Sequence, residues 1–161
     1  MATWMASDNT RVVIGVALIL AFGIPLSISD IKHRRLPNRL VALFTAAVIV
    51  WLGLLSVSDK QAAWSASRWA VLIGIPAILI SFIAPRALGM GDAKLIPALT
   101  AVVAATSLQP AVGMLAVFWV ASASGLAVAC WQRYRHQRWP SSIAYGPHLL
   151  AASLLGCVLH L

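Results

Sequence analysis

VVIGVALILAFGIPLSIS, residues 12–29, runs eighteen residues without a charge, and Asp30 follows it directly. A stretch of that length and character is long enough to cross a bilayer as a helix. A lone strand could not do so, because lipid offers its backbone no hydrogen-bond partners. A cleaved secretory signal would begin with a basic segment and end in small residues. This stretch instead begins beside Asp8 and Arg11, and it ends in Asp30 and the basic cluster Lys32, Arg34, Arg35 and Arg39. It reads as a retained membrane helix.

Five further apolar runs follow, at residues 40–57, 69–84, 95–108, 111–131 and 143–159. The fourth is short for a full span, and Gln109-Pro110 marks a tight turn into the fifth. Across the 161 residues, 61% are hydrophobic, only 10% are charged, and the mean hydropathy is +0.89. A soluble domain of this size carries far more charge on its surface. The expected fold is all-α, a bundle of about six transmembrane helices, with residues 1–161 forming one membrane domain. Small residues such as Ala121-Ser122-Ala123-Ser124-Gly125 let such helices approach closely. Cys130 and Cys157 form no Cys-x-x-Cys pair, so buried, inert thiols are expected. Trp51, Trp64, Trp69 and Trp139 are expected at the membrane interfaces.

The net charge is +8, and the four acidic residues are Asp8, Asp30, Asp59 and Asp92, with no glutamate. In a soluble protein that balance would suggest nucleic acid as a partner. Here the basic residues lie in gaps between apolar runs, which points to topology and anionic lipid instead. The gaps after the first, third and fifth runs hold Lys32, Arg34, Arg35, Arg39, Arg86, Lys94, Arg133, Arg135 and Arg138. The opposite side holds Arg11, Lys60 and Arg68. The positive-inside rule therefore predicts a multi-pass protein of the cytoplasmic membrane with both termini outside. Asp30 and Asp92 then share the cytoplasmic face.

An aspartate near a helix end in a membrane can be a solvated charge paired with a neighbouring Lys or Arg. The surrounding residues suggest more. Asp92 stands in Gly89-Met90-Gly91-Asp92-Ala93-Lys94-Leu95. Two glycines before a carboxylate let another backbone approach closely, as an extended substrate must. Asp30 is followed by the basic run and by Pro37-Asn38, a turn that starts the next helix. His33, His136, His148 and His160 lack metal-ligand spacing, so no metal site is expected. No serine has a histidine or lysine placed to activate it.

Taken together, Asp30, Pro37, Asn38, Gly89, Gly91, Asp92, Lys94 and Leu95 resemble the type IV prepilin peptidase family, which includes the preflagellin peptidases. These are intramembrane aspartic proteases of the Gly-x-Gly-Asp class. Ile143-Ala144-Tyr145-Gly146-Pro147 is similar to the family's Pro-Phe-Gly-Pro segment, though less closely. The resemblance implies that Asp30 and Asp92 are the catalytic pair. Gly89, Gly91, Lys94, Pro37 and Asn38 would shape the site or bind substrate. It also implies a prepilin-like precursor as the partner, with no cofactor and no nucleic acid. The larger bifunctional members carry a cysteine-bearing segment and also methylate the new N-terminus. No such segment stands in this sequence, so cleavage without methylation is the expectation. The competing readings are a small proton-coupled transporter and a non-catalytic subunit of a secretion or pilus machine. Finally, Asp30 at a helix C-terminus and Asp92 at a helix N-terminus predict, by helix dipole alone, that Asp92 is the ionised base and Asp30 the protonated acid.

Overall fold

A computed structural model describes residues 2–33, 36–83, 89–107, 109–136 and 146–158. Among them are six helices and no strand: α1 (Ala2–His33), α2 (Asn38–Ser58), α3 (Lys60–Ile83), α4 (Met90–Thr106), α5 (Pro110–His136) and α6 (Gly146–Val158). Within α1 the span Asn9–Lys32 is long and apolar enough to cross a membrane, and so are α2 and α3. Their outer faces are apolar too. Ile24, Leu54, Leu72 and Phe82 are each more than half exposed. A monomer in water does not sustain that much contiguous apolar surface. This is an all-α membrane protein.

The inward faces follow helical periodicity. In α1 the buried positions are Gly15, Ile19, Gly23, Leu26 and Asp30. They recur every three or four residues, so the aspartate ends an otherwise apolar stripe. In α2 they are Val41, Phe44, Val48, Trp51 and Leu55. Trp51 is thus a core residue beside Gly15 and not part of an interface belt. Cys130 is exposed on α5 and only Cys157 is buried, because an apolar helix position in a membrane can face outward as readily as inward.

α4 is the hub. It packs against each of the other five helices, and every residue from Ala98 to Thr106 is buried. Its 17 residues rise only about 25 Å. Its neighbours sheathe it, so it need not match the thickness of the lipid, which accounts for the short fourth run.

The third helix begins at Lys60, well before the apolar run at Trp69. Asp59, the one residue between α2 and α3, explains the early start. Its Oδ1 accepts the backbone N–H of Ala62 at 2.9 Å, an N-cap interaction that starts a helix despite polar residues in its first turns. Its Oδ2 meets Arg11 Nη1 at 3.0 Å and ties this end of the bundle to α1.

Helix-to-helix distance is set by small residues. A Cβ added to Gly74 of α3 would stand 2.7 Å from Pro97 Cγ and 2.9 Å from Pro97 Cβ on α4. The proline ring is stiff and sits on the central helix, so neither side yields cheaply. Gly74→Leu is expected to destabilise the bundle by about 2–3 kcal/mol through overpacking. Gly53→Leu serves as the control, because a Cβ there would meet nothing within 4 Å. Unfolding in detergent would measure both. Equal stability of the two variants would refute the close α3–α4 contact.

Candidate active site

The last turn of α1, the start of α2 and the N-terminal ends of α4 and α6 meet at one end of the bundle. Pro37 precedes α2 in an extended conformation (φ −67°, ψ 118°), and its carbonyl accepts the N–H groups of Leu40 and Val41. Asn38 is the first helical residue, and its Oδ1 accepts a hydrogen bond from Lys94 Nζ at 3.4 Å. That contact joins the two sequence motifs, since Asn38 follows Asp30 in the chain and Lys94 follows Asp92.

Asp30 is 6% exposed. Its Oδ2 accepts the backbone N–H of Gly146, the first residue of α6, at 3.2 Å. A Cβ on Gly146 would lie only 2.9 Å from that same oxygen, so the backbone of α6 approaches the carboxylate as closely as a glycine permits. Asp92 lies in the first turn of α4, preceded by Gly89 in an extended conformation. It is half-buried and within electrostatic reach of Asp30. Its Oδ1 is wholly buried and has no hydrogen-bond partner among the described residues. An unpaired buried polar atom costs roughly 1–3 kcal/mol and is tolerated chiefly where function needs it. Leu36 sits between the N-terminal ends of α4 and α6. It is 3.1 Å from a Cβ placed on Gly91 and 3.7 Å from one placed on Gly146.

Asp30, Asp92, Gly89, Gly91, Pro37, Asn38 and Lys94 therefore gather at one end. Arg86 and the Ile143–Tyr145 part of the Gly-Pro segment lie outside the described residues. Leu36 carries no motif signal and does not stand out in the sequence. Gly146 stands out there only as part of the segment that resembles the family's Pro-Phe-Gly-Pro, with no role assigned to it. Its contact with a residue 116 positions away has no local signature.

Chemically, the arrangement is a pair of carboxyl groups within electrostatic reach of each other at helix ends, with Gly146 against one and Gly89 beside the other. Such a pair holds one proton between two acids, because both cannot easily ionise together. The sequence profile described as the type IV leader peptidase family matches residues 17–132, a range that includes both aspartates and stops before Gly146. Neither the curated proteins nor the solved structures contain a match.

Proposed function

This chain belongs to the type IV leader peptidase family, and from that premise we propose that it is an aspartic endopeptidase whose catalytic pair is Asp30 and Asp92. Membership makes it a peptidase acting on a protein substrate. The aspartic mechanism rests on one observation, two carboxylates from distant motifs held together at the mouth of a membrane bundle. One carboxylate takes a proton from water, and that water attacks the scissile carbonyl. The other, protonated, donates to the carbonyl oxygen.

The substrate is a prepilin-like precursor with a short basic leader before an apolar helix. That helix stays in lipid while the leader junction reaches the site. Gly89, exposed and extended just before Asp92, leaves room for an extended chain, while the space at Gly91 is taken by Leu36. Lys94 ties α4 to Asn38 and stands exposed at the rim, where it would meet an acidic residue of the substrate. Co-expression with candidate precursors, followed by N-terminal analysis of the product, tests the reading. A precursor left whole by folded enzyme in every pairing would reject it.

The site faces the cytoplasm in this proposal, at an inner membrane. Single cysteines at positions 35, 60 and 135, in a background lacking Cys130 and Cys157, report the orientation. Only Lys60→Cys is expected to react with an impermeant thiol reagent in intact cells. Labelling of Arg35→Cys or Arg135→Cys would reverse the assignment.

A further inference from the structure

The dyad's two members sit in unlike surroundings. Asp30 is buried and accepts a backbone N–H from the first residue of α6. Asp92 has a buried oxygen that accepts nothing among the described residues. Each aspartate's own helix would suggest the opposite ionisation, since α1 ends at Asp30 and α4 begins at Asp92. A helix dipole alone is a weak influence at an end open to water. A direct N–H donated to a carboxylate is stronger, and here the donor stands at a second helix N-terminus that also favours an anion. A buried oxygen that accepts nothing among the described residues is, in contrast, better tolerated on a neutral carboxyl than on a carboxylate.

We propose that the Gly146 backbone N–H positions Asp30 as the ionised general base and leaves Asp92 as the protonated acid. The assignment rests on the aspartic-peptidase reading above and deepens it. The step balances as follows. Asp30 takes a proton from water as the water oxygen bonds to the scissile carbonyl carbon. Asp92 gives its proton to the carbonyl oxygen. The C–N bond then breaks, the amine takes the proton held by Asp30, and the hydroxyl of the collapsing intermediate returns a proton to Asp92. Both carboxyl groups end as they began. Gly146 touches no reacting atom and acts only through Asp30.

Tyr145-Gly146 is the sole Tyr-Gly pair in the sequence. Protein labelled with carbonyl-13C tyrosine and 15N glycine therefore gives one two-label amide signal, that of Gly146, in detergent or nanodiscs. An amide bonded to a carboxylate lies downfield and moves upfield when that carboxylate is protonated. The expected wild-type signal is downfield at neutral pH and moves upfield only as pH falls. Asp30→Asn is expected to hold it upfield at every pH. Asp92→Asn, which imitates a neutral carboxyl, is expected to leave the midpoint within about half a pH unit of wild type. A neighbouring charge would shift it by about one unit or more. The other charged or titratable groups described at the ends of the helices that meet here are Lys32 on α1, Arg39 on α2, Lys94 on α4 and His148 in the first turn of α6. Lys32, Arg39 and Lys94 are exposed.

An upfield wild-type signal at neutral pH would overturn the proposal. So would a midpoint that drops by one unit or more in Asp92→Asn, or a transition that survives Asp30→Asn. An upfield wild-type signal at neutral pH overturns the proposal by itself, whether or not a variant folds, and the Asp92→Asn midpoint decides which carboxyl ionises first. Cleavage of a precursor by the same labelled wild-type sample is scored separately. A sample that shows the expected titration but never cleaves would refute the peptidase reading while leaving the Asp30 hydrogen bond intact.

Discussion

Asp30→Asn and Asp92→Asn are each expected to reduce precursor cleavage by about 10³-fold or more, while the protein still inserts and folds. The magnitude follows from the roles. General acid–base transfer by one positioned group contributes about 10²–10⁴-fold. Members of one catalytic unit fail together, so losing either removes most of what the pair supplies. Asparagine keeps the size and shape of aspartate but cannot take a proton from water. Insertion is expected to persist, because both residues lie at helix ends and neither carries the apolar packing of its helix. The measurement is the ratio of processed to unprocessed precursor by mass spectrometry, with membrane-fraction abundance as the control. Full processing by either variant, at normal abundance, would remove the two-carboxylate mechanism. It would leave a peptidase that needs another nucleophile.

What the sequence made legible was set by what local chemistry can encode. The lipid-facing helices were visible because an uncharged run such as residues 12–29 has one economical home. Asp30 and Asp92 were visible because charges beside apolar runs are few, and here one follows such a run and the other sits in a glycine-rich turn. The early start of α3 was not visible, although Asp59 is a good N-cap residue, because the polar segment after it lacks an apolar stripe. The inward turn of Trp51 was hidden because every face of α2 is apolar, so only the shape of α1 at Gly15 selects which one packs. The arrival of α6 at Asp30 was hidden for a different reason. Chain topology brings it there, and neither residue carries any mark of the other. The expectation that Asp92 is the base did not include this second helix, and the proposal that Asp30 is the base does. That expectation weighed each carboxylate against its own dipole and had no means of seeing a donor from elsewhere.

Gly146→Val tests that arrival directly, and its effect on turnover should be second only to loss of an aspartate. A Cβ at this position stands 2.9 Å from Asp30 Oδ2 and 3.5 Å from Asp30 Cγ, with Leu36 Cδ2 3.7 Å away on another side. Valine adds two methyls to that Cβ. Asp30 is buried at the end of a packed stripe and cannot swing into open space. The strain is relieved by α6 moving outward, which lengthens the hydrogen bond from the Gly146 N–H and shifts the carboxylate. Displacing a catalytic group by about 1 Å costs on the order of 10²-fold in rate. The expected result is a fall of about that size in kcat, with KM for the precursor changed far less, because Gly89, proposed to lie beside the substrate, is untouched. Gly53→Val adds the same side chain where a Cβ meets nothing within 4 Å, and it should cleave at the wild-type rate. If Gly146→Val folds, inserts and turns over normally, α6 does not press on Asp30 during the reaction. If KM rises while kcat holds, Gly146 lines the path of the substrate and does not support the dyad.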